Sequence, residues 1–95
     1  MKNIFIAIFI AGMSLLTARA EPNFYQCEQA VRAGAVYDTS GYRCTSQHFK
    51  PDPSDPDGGT FFAYYEKHAS GKLYELGFEM DVKTKKVTTI LNAIY

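Results

Sequence analysis

Between Leu73 and Val82 the chain alternates with a period of two: Tyr74, Leu76, Phe78, Met80 and Val82 fall on one side, and Glu75, Gly77, Glu79 and Asp81 on the other. A segment patterned this way has to bury one face and solvate the other, and a slip of a single residue would invert both. It reads as a half-buried strand. The aromatic stretch Thr60 to His68 before it is also strand-like, and the two are joined by a short turn around Ser70-Gly71. After it, Lys83 to Lys85 forms a turn into a further strand, Val87 to Tyr95. The last third of the chain is therefore expected to be a three-stranded antiparallel meander.

Upstream the signals are shorter. Asn23 to Cys27 is aromatic and expected to be extended, and Glu28 to Tyr37, rich in Ala and Val behind an acidic first residue, predicts a short helix weakened by Gly34. Asp38-Thr-Ser-Gly41 predicts a turn, and Gly41 to Phe49 a second extended piece holding Cys44. Lys50 to Gly59 contains three prolines, three aspartates and two glycines, which predicts an exposed loop. Its Asp55-x-Asp57-Gly58 portion has the alternate carboxylates and the glycine of a calcium loop, yet Pro53 stands where the first ligand belongs and Tyr64 where the bidentate glutamate belongs. The fold class this predicts is α+β: a small antiparallel sheet with one short helix packed on its apolar face.

The first twenty residues have the order of a secretory signal: basic Lys2, an apolar run from Ile4 to Leu16, and small residues Ala18 and Ala20 around Arg19. The run is broken by Gly12 and Ser14 and falls short of the ~20 apolar residues of a membrane span. Residues 1–20 are thus expected to be a cleaved signal peptide and residues 21–95 a single secreted domain. Lys2 and Arg19 leave with the signal, so eight basic residues face ten acidic ones in the remainder. A mildly acidic domain has no global attraction for nucleic acid.

A domain of this size buries a small core, so an added constraint is expected. Export exposes Cys27 and Cys44 to an oxidising compartment, and two cysteines allow one intramolecular pairing. A disulfide Cys27–Cys44 is expected, stabilising by about 3 kcal/mol in the chain-entropy model; two free thiols or a bridge to another molecule are the alternatives. Two cysteines without a nearby histidine pair miss zinc spacing, so no metal and no cofactor are expected.

Conventional catalytic material is sparse. His48 and His68 with the carboxylate Glu75 are the residues that could transfer protons in phosphodiester cleavage, but the plain reading makes both histidines surface residues and Glu75, Glu79 and Asp81 the solvated face of their strand. Lys83, Lys85 and Lys86 form the one basic cluster, a solubilising turn or a contact for RNA or another partner. Tyr and Phe number fourteen in the whole chain and Trp is absent; such aromatic loading serves either a core or a binding surface.

Tyr25-Gln26-Cys27, close behind the expected cleavage point, resembles the Y/F/W-x-C motif of small secreted effector candidates of powdery mildew fungi. Tyr42-Arg43-Cys44 followed by Phe49 is similar to the Y-x-C-x4-F segment of related fungal secreted proteins, and Tyr74-Glu75 with Phe78, then Lys86 to Asn92, resemble two strands of a ribonuclease T1/F1-like fold. The resemblance covers about a third of the mature chain. It implies a secreted virulence effector, a non-catalytic ribonuclease-like module that binds a host protein or RNA and can reach the inside of a host plant cell. The family's Tyr-Pro-His catalytic segment is absent, Lys86 stands where its catalytic arginine would be, and Glu75 is the one catalytic position carried over. A small secreted ribonuclease or other hydrolase is the alternative, with Glu75, His68, His48 and Lys86 as its candidate residues. A disulfide-stapled inhibitor or a β-sandwich effector is a third reading. In each case no membrane span and a monomer are expected.

Overall fold

The computed structural model describes residues 21–95, and the expected signal peptide lies outside them. In chain order it contains one helix, α1 (Phe24–Gly34), and four strands, β1 (Arg43–Asp52), β2 (Asp55–Ala69), β3 (Lys72–Asp81) and β4 (Val87–Ile94). The strands form one antiparallel sheet in the order β1-β2-β3-β4. The sheet is thus larger than the three-stranded meander expected from sequence, because Gly41 to Phe49 joins it as part of its first strand.

The helix begins earlier than its composition predicts. Asn23 is its N-cap, with the side-chain Oδ1 accepting the Gln26 N–H at 3.0 Å, so the aromatic segment read as extended becomes the first turn. From there Phe24, Cys27 and Val31 recur at helical spacing on the face turned to the sheet. Phe24 meets Phe61 edge-on at 5.2 Å, and Cys27 and Val31 are buried. The strands supply the other half of the core: Phe61, Ala63 and Tyr65 from β2, and Leu76, Phe78 and Met80 from β3. The even-numbered set of the alternating strand is therefore the buried one, as its period requires.

The expected loop 50–59 is a hairpin tip instead. β1 continues to Asp52 and β2 starts at Asp55, with Pro51 opposite Gly59 and Asp52 opposite Asp55. Proline is tolerated because β1 is an edge strand and because the ladder is irregular between Pro51 and Asp52. Carboxylates hold the tip: Asp52 accepts from the Ser54 N–H at 2.9 Å, and Asp55 accepts from the Asp57 N–H at 3.0 Å and from Lys83 Nζ at 2.7 Å. At the β2–β3 turn, Ser70 and Gly71 both have positive φ (55° and 75°), the combination that lets two residues reverse a twisted hairpin.

The Cys27–Cys44 disulfide is not formed. Cys27 faces the core from the first turn of α1, whereas Cys44 lies near the start of β1 as the Cα partner of Tyr65; the two are not close and neither is in a disulfide. The tie between the helix and β1 is polar. Arg32 pairs with Glu28 one turn back, stacks on the Tyr65 ring at 4.7 Å, and donates to the carbonyls of Thr39 and Tyr42, each at 3.0 Å. Tyr65 in turn donates its hydroxyl to Glu28 at 3.0 Å.

Candidate functional site

Antiparallel register decides which side chains share the face turned away from α1. One cross-strand row runs His48, Phe62, Glu79, Thr88; the next Ser46, Tyr64, Gly77, Leu91; a third Arg43, Glu66, Glu75, Ala93. Among the described residues no helix or strand lies across this face, and Phe62, Tyr64 and Leu91 are half-buried rather than buried.

Its apolar centre depends on Gly77. A Cβ there would lie 2.8 Å from Tyr64 Cδ1 and 3.0 Å from Leu91 Cβ, so the absent side chain lets the Tyr64 ring lie across β3 toward Leu91. His48 flanks this strip, its ring 6.0 Å from that of Phe62.

Acidic residues occupy the ground around it. Glu66 and Glu75 are Cα partners. Arg43 donates to Glu66 at 2.7 Å, and His68 Nε2 lies 3.7 Å from the same carboxylate. The Glu75 carboxylate, near the Tyr95 hydroxyl, pushes the Tyr95 pKa up. At the far end Asp81 accepts from the Thr84 and Lys83 N–H groups, each at 2.9 Å, and those bonds hold its carboxyl below the usual range.

Of the residues singled out from sequence, Glu75 and His68 fall at one end of this face. His68 pairs with Leu73, so Glu75 is its diagonal neighbour, about 7–8 Å away for such positions. His48 sits two rows off, beside Phe62. Lys86 lies next to Asp81, in a shallow hollow of about 240 Å³ lined by Thr60, Glu79, Asp81, Lys86 and Thr88. Asp81 is six residue steps along the strand from Glu75, about 20 Å at about 3.3 Å per residue. A base at Glu75 and a phosphate-holding cation at Lys86 therefore cannot act on one scissile bond.

The basic turn does not present three open ammoniums. Lys83 is bound to Asp55, a contact that raises its pKa, and Lys85 Nζ donates to the Val82 carbonyl at 2.9 Å. Arg43, Glu66 and Tyr95, which complete the cluster around Glu75 and His68, carry no sequence signal, because cross-strand register alone brings them together. This cluster is open to water, with the side chains of Arg43 and His68 73% and 72% exposed. Electrostatic catalysis draws its strength from sites that exclude water. No group of three or more His, Cys, Asp or Glu side chains among the described residues is arranged to hold a metal.

Comparison with known proteins finds no matching family model, no matching curated protein and no matching solved structure. Among the described residues no helix is long and apolar enough to cross a membrane.

Proposed function

We propose that the protein is a non-catalytic binding module of the secreted effector type, and that it engages a basic host protein surface through the sheet face turned away from α1. The observation that carries this reading is that face itself: an apolar strip of Phe62, Tyr64 and Leu91 laid over Gly77, bordered by Glu66, Glu75, Glu79 and Asp81. An apolar centre with a charged rim is the anatomy of a protein interface, where aromatic residues anchor and the rim sets specificity. Rim carboxylates favour a partner rich in Lys and Arg and repel a phosphate backbone.

RNA remains the second partner class through Lys86 at the end of the face. It is less favoured, because Lys86 shares its hollow with Glu79 and Asp81 and because Lys83 and Lys85 are engaged within the turn. Cleavage of RNA by Glu75 with His68 is the enzymatic alternative.

The test is capture of host proteins from plant extract by the native protein, by Tyr64→Ser and by Tyr25→Ser. Tyr25 lies 71% exposed on α1 and is the control. The reading expects a partner that survives ribonuclease treatment, binds directly once purified, and is lost with Tyr64→Ser while Tyr25→Ser retains it. Loss of capture on ribonuclease treatment would replace it with RNA binding.

A further inference from the structure

The two edges of the sheet are built differently. β1 is blunted: it carries Arg43, Lys50, Pro51 and Asp52, and its ladder is irregular between Cys44 and Ser46 and again between Pro51 and Asp52. Charge, proline and bulges are the usual devices against strand addition. β4, Val-Thr-Thr-Ile-Leu-Asn-Ala-Ile, has none of the charges and no proline, and Ile90 and Ile94 are 42% and 59% exposed.

We infer that β4 is a self-pairing edge, joining a second copy of this chain antiparallel to itself so that two sheets become one. The argument starts from which backbone groups β4 has left over. Leu73 and Tyr95 exchange both hydrogen bonds, and Asp81 N–H donates to the Lys86 carbonyl. Antiparallel alternation then places Tyr95, Ala93, Leu91, Thr88 and Lys86 as the residues bonded to β3. Val87, Thr89, Asn92 and Ile94 point their N–H and C=O groups outward.

The outward set is symmetric about the middle of the strand because the register shift between Gly77 and Phe78 inserts Ile90 there. In an antiparallel pair with Val87 opposite Ile94 of the second copy, Thr89 falls opposite Asn92, and all four outward residues find outward partners. The same shift corrects the faces. Without it an odd position would meet an even one from the other side of the sheet; with it Val87, Thr89, Asn92 and Ile94 all lie on the α1 side, as do their partners Met80, Phe78, Leu76 and Tyr74. A bulge that would spoil pairing with an arbitrary strand sits on the twofold axis of this one.

Charge agrees with the register. Lys86 comes opposite Tyr95 of the second copy, and Glu75 of that copy lies on the same face one strand further on, diagonal to Tyr95, so each end of the joint turns an ammonium toward a carboxylate. The strands themselves bring no like charges together. Pairing uses the backbone edge of β4 and leaves the open face uncovered, although Glu75 at the rim of that face stands near each end of the joint; it replaces the expected monomer with a twofold dimer.

The experiment is amide exchange by NMR on the purified protein across a concentration series, with mass from sedimentation equilibrium. The mass should rise toward twice that of one chain with concentration. Where about nine-tenths of the chains are paired, the Val87, Thr89, Asn92 and Ile94 amides should exchange about tenfold more slowly than in dilute solution, while those of Thr88, Leu91 and Ala93 are protected at both extremes. Asn92→Pro removes an outward N–H and should leave a monomer. Independently, Lys86→Glu should weaken pairing and Lys86→Glu with Glu75→Lys restore it. A single-chain mass at every concentration, or new protection along β1 instead of β4, would overturn the inference.

Discussion

Tyr64 and Gly77 face each other as Cα partners on β2 and β3, and the Tyr64 ring occupies the space a Gly77 side chain would need. The apolar strip of the open face follows from that exchange. Gly77→Ala should destabilise by about 1–3 kcal/mol, the usual cost of forcing atoms into a packed site. Tyr64→Ala should recover part of that loss in the double variant. A denaturant titration of the four proteins reads the coupling, and additive effects would mean that the ring does not lie there.

Phe78 is fully buried between sheet and helix and its neighbour Glu79 is on the open face. Phe78→Ala should cost about 3–5 kcal/mol, enough to unfold a domain this small. Glu79→Ala should stay within about 0.5 kcal/mol. Equal losses of stability would show the face assignment to be reversed.

The Glu28, Arg32 and Tyr65 cluster predicts a pH dependence. Burial, together with the bond to Glu28, raises the Tyr65 pKa above its ordinary 10.0. Below that value Tyr65 is protonated in both folded and unfolded chains, so its contribution is fully present. Above it the unfolded chain loses the proton first, and stability should fall by up to about 1.4 kcal/mol per pH unit. Tyr65→Phe should remove this component. Parallel stability curves for the two proteins between pH 10 and 11 would contradict it.

The cysteines offer a direct chemical check. Burial pushes the Cys27 thiol pKa up and shields it, whereas Cys44 is half-exposed at the edge of the sheet. A thiol reagent should modify Cys44 in the native protein and Cys27 only after unfolding. Peptide mapping without reductant should recover the two cysteines unlinked; a Cys27–Cys44 peptide would restore the bond expected from sequence.

What the sequence made legible is what local periodicity encodes. The alternation from Leu73 to Val82 fixed both the strand and its buried face, and Ser70-Gly71 marked the two-residue turn correctly. The prolines of 50–59 read as a loop because composition does not say that Pro51 lies on an edge strand, that Pro53 lies in the hairpin tip, or that Pro56 lies where β2 runs on beyond its pairing with β3. Asn23 was the helix signal missed: an N-cap looks extended until the turn it caps is seen. Compartment and count predict the disulfide, and it fails on position: both cysteines border the core, Cys27 from α1 and Cys44 from β1, but they are not close to each other. The cluster of Arg43, Glu66, His68, Glu75 and Tyr95 needed cross-strand register, which no single segment contains.

That cluster bears on the central claim, that the open face binds and does not cleave. Glu75 lies near the Tyr95 hydroxyl and faces Glu66 across the ladder, and Lys86 lies at the opposite end of β3. Transfer of a phosphoryl group needs base, acid and cation around one atom. Hydrolysis of RNA by the purified protein, beside Glu75→Gln, tests this most directly. Both proteins should show no turnover above buffer; turnover in the native protein that disappears in Glu75→Gln would contradict the account and make the protein a ribonuclease.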